Sequence, residues 1–169
     1  YAQQNAELPK PDKNEKRVVF MGNSITEGWV NTHPDFFKSN GYIGRGIGGQ
    51  TSYQFLVRFR EDVINLSPAL VVINAATNDI AENTGAYHED RTFGNIVSMV
   101  ELAKANHIKV ILTTTLPAAA FGWNPSIKDA PQKIASLNAR LKAYAQTNKI
   151  PFVDYYSSMV LSLIHISEP

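Results

Sequence analysis

Apolar residues along the chain fall into short continuous runs, separated by longer stretches with helical spacing. The first run is "RVVFM", residues 17–21, and "YIGRGI", 42–47, is the second. Between 51 and 66, Phe55, Phe59 and Val63 recur every fourth position with Leu56 and Ile64 beside them, the period of an amphipathic helix. "ALVVINAA", 69–76, is apolar at nearly every position, as expected of a strand covered on both faces. Residues 90–106 place Phe93, Ile96, Val97 and Val100 on one helical face, and "KVILTTTL", 109–116, is the next strand. After a loop at 117–129, Asp129 stands as a helix N-cap, with Pro131 in the first turn and Gln132 three residues on. Ile134, Leu137, Leu141 and Tyr144 form that helix's buried stripe, and "PFVDYY", 151–156, is a fifth strand. Residues 1–16 are polar, contain Pro9 and Pro11, and predict a loose lead-in.

Strands alternating with helices predict one α/β domain with a five-stranded parallel sheet and right-handed crossovers. The boundaries expected are a lead-in at 1–16 and the domain at 17–160. In such a sheet the ligand crevice lies beyond the carboxyl ends of the strands. Glycine and polar residues collect there: "GNSITEG" after the first strand, "GGQTS" after the second and "TND" after the third.

These positions allow a chemical reading. Acyl transfer to a serine needs a hydroxyl nucleophile, a base, and donors aimed at the developing oxyanion. Ser24 sits at a strand-to-helix turn, where its hydroxyl can project into the crevice. Gly49 has no side chain, so its N–H can approach a substrate closely. The Asn78 amide supplies another donor. The three residues are expected to converge at one sheet edge, with the first strand central. The competing readings are structural: Ser24 as a helix N-cap, Gly49 as the relief of a tight turn, Asn78 as a cap. The Gly-x-Ser-x-Gly nucleophile elbow is not present, since Thr26 occupies its last position.

Composition narrows the classes further. The chain has 169 residues, is 44% hydrophobic and carries a net charge of +1, which gives no reason to expect a nucleic-acid or membrane-surface partner. No apolar run reaches the roughly 18 residues of a membrane span. The absence of cysteine excludes disulfides, thiolate metal sites and a cysteine nucleophile. The start, "YAQQNAELPKP", has no methionine and no readable signal peptide, and an exported or periplasmic bacterial protein is the expected context.

"GNSITEG", "GRGIGGQTS" and "ATND", in that order at strand ends, resemble three blocks of the SGNH hydrolases, the GDSL-type esterases and lipases. Asn23 stands where aspartate is usual, and Ala76 where glycine is usual. The resemblance runs from about residue 17 to 159. It implies a flavodoxin-like three-layer α/β/α sandwich with Ser24 as nucleophile. The implied oxyanion hole is the N–H groups of Ser24 and Gly49 plus the side chain of Asn78. The family's fourth element, an Asp-x-x-His after the fifth strand, has no counterpart here. Ser162, not aspartate, lies three residues before His165, and the closing helix is expected to be missing. The ending "LSLIHISEP" resembles translated sequencing-adapter sequence, so 161–169 reads as a non-native tail and no histidine can be assigned as the base.

The other histidines have plain readings. His33 and His88 fall in polar loops, and His107 falls where a helix should end. Trp29, Phe121 and Trp123 could line a sugar or acyl pocket, or simply pack. The leading function is therefore hydrolysis of small, acetyl-type esters, carbohydrate esters included, with no metal or cofactor required. Lysophospholipid or other short-chain lipid esters are the same-class alternative. A flavodoxin-like phosphate or flavin module is the alternative of another class, with "SITEG" at a helix N-terminus. Glu27 argues against it, because its carboxylate would face the phosphate. An inactive fragment is the third reading.

Overall fold

The computed structural model describes residues 1–166, with side chains through Val160. The side chains of 161–169 lie outside the described residues, and with them the readings of His165 and of the terminal tail. The elements run α1 (Ala2–Glu7), β1 (Val18–Gly22), α2 (Ser24–Thr32), α3 (Pro34–Ser39), β2 (Tyr42–Gly46) and α4 (Ser52–Asp62), then a 3-10 turn at Ile64–Leu66. They continue with β3 (Leu70–Ile73), α5 (Thr77–Ile80), α6 (Glu89–Ala105), β4 (Lys109–Thr113), α7 (Ala130–Thr147), β5 (Phe152–Val153) and α8 (Tyr155–Ile166).

All strand pairs are parallel, in the order β2-β1-β3-β4-β5. β1 is flanked on both sides, with Val19 opposite Ile43 and Val71, while β3 holds the middle position. Strand side chains alternate between faces. Val19, Met21, Val71, Ile73, Val110 and Leu112 share the principal core with Phe55 and Phe59 of α4, Ile96 and Met99 of α6, and Ile134 and Leu137 of α7. The opposite face carries Phe20, which meets Trp29, Phe37 and Tyr42 at ring separations of 5.2–5.5 Å. The fold is the expected three-layer α/β sandwich.

Three elements differ from the sequence expectation. The lead-in contains α1 and is tied to the domain: the Tyr1 hydroxyl donates to the Gly46 carbonyl, and Asn5 Nδ2 donates to Asp62 Oδ1 at 2.8 Å. Arg45 donates to Asn5 Oδ1 at 2.6 and 2.9 Å. Six residues cannot show a period and would not hold a helix alone, so this helix is set by tertiary bonds. Next, Asp129 is the N-cap of α7, but its side chain pairs with Lys133 at 3.0 Å and makes no cap bond. The capping box sits instead on α4, between Thr51 and Gln54. Last, the fifth strand expected over 151–156 is only Phe152–Val153, and Tyr155 and Tyr156 instead open α8, which begins straight after β5. Asp154 starts it by accepting from the Ser157 N–H at 2.9 Å and the Ser157 hydroxyl at 2.8 Å. Those bonds, the backbone one foremost, hold its carboxyl below the usual carboxylate range.

Candidate active site

At the carboxyl end of β1 the chain turns directly into α2. Asn23 is extended, at φ −103°, and its Oδ1 accepts the Ile25 N–H at 3.0 Å. The capping role open to Ser24 therefore belongs to Asn23. Ser24 is the first helical residue, and its hydroxyl makes no hydrogen bond to the described residues. As the first residue of α2 it also has an N–H with no partner inside its own helix.

The first turn of α2 is pressed against β2 at Gly46. A Cβ placed there would lie 2.3 Å from the Glu27 nitrogen and 2.6 Å from the Asn23 carbonyl oxygen. Both are backbone atoms and cannot swing aside. Gly46→Ala is therefore expected to cost about 1–3 kcal/mol, as overpacking does. It should also lower turnover by more than stability alone explains, because Ser24 rides on the displaced turn. Urea unfolding alongside kcat separates the two effects.

The loop after β2 brings the second block beside Ser24. Gly48 donates its N–H to Glu27 Oε2 at 2.9 Å, and a Cβ on Gly48 would stand 3.8 Å from Ser24 Cβ. Gly49 has φ +75°, a conformation costly for other residues, and its N–H donates to no described group. Gln50 then links blocks. Its carbonyl accepts from Asn78 Nδ2 at 2.9 Å, and its side-chain oxygen accepts from Arg58 Nε at 2.6 Å. The same guanidinium donates to the carbonyls of Gly22 and Arg45 at 3.0 and 2.9 Å and pairs with Asp62 at 2.8 Å. One half-buried arginine thus fastens the ends of β1 and β2 to the loop between β2 and α4.

The third block follows β3. Ala76 is left-handed at φ 84°, the conformation that suits the glycine usual there, and costs an alanine about 1–2 kcal/mol. It aims α5 so that Asn78 lies buried, 3% exposed, against Gln50. An amide has two N–H hydrogens, and only one is spent on the Gln50 carbonyl. Gly48 thus lies beside Ser24, and Asn78 is tied to Gln50 two residues further along the same loop.

Beneath it, Asp79 is 4% exposed. It accepts from the Ser52 N–H at 2.9 Å, from the Ser52 hydroxyl, and from Thr92 Oγ1 at 3.2 Å. Burial pushes its carboxyl above the usual value of 3.8, against the lowering effect of those donors. A raised folded-state value means the ionised form is disfavoured by folding. That penalty is absent below pH 3.8, enters as the pH rises, and is complete above the folded value. Asp79→Asn should cost about 1–3 kcal/mol at neutral pH, because an amide nitrogen would face donors. The wild-type advantage should grow as the pH falls toward 3.8. Denaturant titrations of both proteins across that range read this difference directly.

The described histidines lie apart. His33 caps the far end of α2, nine residues from Ser24 and so about 13 Å along the helix. His107, at φ 60°, ends α6 just before β4, at the amino edge of the sheet. His88 is the N-cap of α6. Among the described residues no group of three His, Asp or Glu side chains could hold a metal ion, and no helix is long and apolar enough to cross a membrane.

Sequence reasoning missed Arg58, the positioning role of Glu27, and Asn83, whose Nδ2 donates to the Gly49 carbonyl at 3.0 Å. Arg58 had a signal: it falls on the buried stripe of α4 between Phe55 and Asp62, where a charge needs a partner. Asn83 and Glu27 act across loops, and no periodicity reports that.

The polar blocks after β1, β2 and β3 share the carboxyl edge of one parallel sheet. The GDSL-like Lipase/Acylhydrolase family model matches residues 20–163, and the chain belongs to that family. A GDSL-like lipase from Bacteroides thetaiotaomicron VPI-5482 is 79% identical, with a TM-score of 0.93 over 94% of this chain and 78% of that one. A catalytic mutant of Axe2, an acetylxylan esterase from Geobacillus stearothermophilus, shares the fold at 20% identity and a TM-score of 0.68, over 84% of this chain and 77% of that one. An uncharacterized lipoprotein of Bacillus subtilis (strain 168), YqeF, is 32% identical over 117 residues, 59% of this chain. The chain spans about half, 48%, of the length of that curated relative.

Proposed function

We propose that this domain hydrolyses small, acetyl-type esters through an acyl-serine intermediate, with Ser24 as nucleophile. The observation that carries the reading is the unbonded Ser24 hydroxyl at the start of α2, beside the Gly48–Gly49 peptide and the anchored Asn78 amide. Ser24 Oγ attacks the ester carbonyl carbon and gives its proton to a base. The carbonyl oxygen becomes an oxyanion, met by the N–H groups of Ser24 and Gly49 and by the free hydrogen of Asn78 Nδ2. Collapse expels the alcohol, which takes the proton. Water then attacks the acyl-serine by the same route and releases the acid.

Carbohydrate acetates are the substrates we favour over lipid esters, since the residues around Gly49 and Asn78 are polar. Acetylxylan esterases among proteins of this fold support that choice. Glu27 already occupies the Gly48 N–H, which supports an esterase over a phosphate-binding loop. The lipoprotein relative supports an exported location.

His33, about 13 Å along α2 from Ser24, is not placed to act as the base. We infer that residues 161–169 do not supply it and that the 169-residue chain is a weak esterase. The test compares hydrolysis of 4-nitrophenyl acetate by this chain, by His165→Ala, and by a chain extended with an Asp-x-x-His-bearing continuation. Slow turnover in the first two, and a rise of roughly 10³-fold or more in the third, is the expected result. Robust turnover by the 169-residue chain, lost on His165→Ala, would make His165 the base.

A further inference from the structure

Trp123 presents an indole to solvent beside the second block, at 62% exposure. It is nevertheless held in place. Its Nε1–H donates to Asn83 Oδ1 at 2.8 Å, and Asn83 Nδ2 donates in turn to the Gly49 carbonyl at 3.0 Å. Behind it the Phe121 ring, itself buried, lies 5.3 Å away. Asn124 Nδ2 pins the same loop to the Ala81 carbonyl at 2.9 Å. The exposed ring borders an open depression of about 610 Å³, lined by Gly49, Gln54, Glu82 and Thr84 along with Ile47 and Ala81.

A large aromatic side chain left in water forfeits burial energy, and one oriented in advance saves a ligand the cost of ordering it. The ligand must offer a flat apolar face to the ring and hydrogen-bonding groups at its edge. The polar rim is wrong for an acyl chain, which would leave Gln54, Glu82 and Thr84 desolvated without partners. A pyranose has both features: an apolar face of C–H groups and hydroxyls around its rim. Because one asparagine ties the indole to Gly49, a sugar stacked there lies beside the proposed oxyanion donors.

We propose that Trp123, oriented by Asn83, is the platform of a subsite that binds a pyranose ring of the substrate's alcohol portion. The proposal rests on the reading of Ser24, Gly49 and Asn78 as an esterase centre. It extends that reading by assigning the alcohol side as a saccharide.

The test uses binding as well as turnover. In the full chain carrying Ser24→Ala and Trp29→Phe, Trp123 is the sole tryptophan, and its fluorescence should change saturably with xylohexaose, cellohexaose or mannohexaose. Calorimetry on Ser24→Ala should show oligosaccharide binding weakened about tenfold or more by Trp123→Ala. In a hydrolytically active form, Trp123→Ala should lower the kcat/KM ratio of acetylated xylohexaose to 4-nitrophenyl acetate by a similar factor. No saturable change with any of the three oligosaccharides, or equal binding with and without the indole, would overturn the subsite. Trp123-dependent binding without Ser24-dependent hydrolysis would overturn the esterase reading and leave the subsite standing.

Discussion

Ser24→Ala will remove ester turnover, by about 10⁶ in kcat in a form that carries its base, because the acyl intermediate forms on the Ser24 hydroxyl. The loss should be confined to chemistry. Ser24 caps nothing, since Asn23 accepts the Ile25 N–H, and its hydroxyl has no described partner. Melting temperature and oligosaccharide binding should therefore hold while kcat falls. Members of such a site act as a unit, so adding Asn78→Ala to Ser24→Ala should cost little more. A Ser24→Ala protein with residual turnover far above the water rate, still dependent on Asn78, would place the nucleophile elsewhere.

Asn78→Ala is expected to lower kcat by roughly 10²–10³ with a smaller change in KM, the loss typical of one oxyanion donor. The donor acts where charge develops, so ground-state binding feels it less. The substitution also deletes the bond to the Gln50 carbonyl, worth about 1 kcal/mol, which is too little to unfold the domain. Asn78→Asp serves as the sharper comparison. It keeps the shape, removes the donor and sets a carboxylate against the oxyanion, so it should be at least as damaging. Equal turnover in wild type and Asn78→Ala on a small acetyl ester would remove Asn78 from the chemistry.

Much of this site is legible in the sequence because strands and their ends are. Near-continuous apolar runs locate β1, β3 and β4, and Ser24 and Asn78 follow closely on β1 and β3. The polarity of "GNSITEG", "GGQTS" and "TND" is visible for the same reason: nothing in a buried strand would need it. What stays hidden is set across space. The clamp by Arg58 depends on two carbonyls, Gly22 and Arg45, far apart in the chain. The burial of Asp79 rests on Ser52 and Thr92, which converge on it from α4 and α6. α1 has no period to show, and α8 follows a two-residue strand whose apolar run extends into the helix itself. The division of labour between Asn23 and Ser24 is likewise a matter of backbone angle, not residue type.

The central claim is that Ser24 is the acylated residue. Its most direct measurement is mass-spectrometric mapping of the adduct left by a fluorophosphonate on an active, extended form of the chain. The account predicts one adduct, on the peptide containing Ser24, lost with Ser24→Ala and slowed by Asn78→Ala. An adduct on another hydroxyl, such as Ser52, with Ser24 unmodified and turnover abolished, would contradict it.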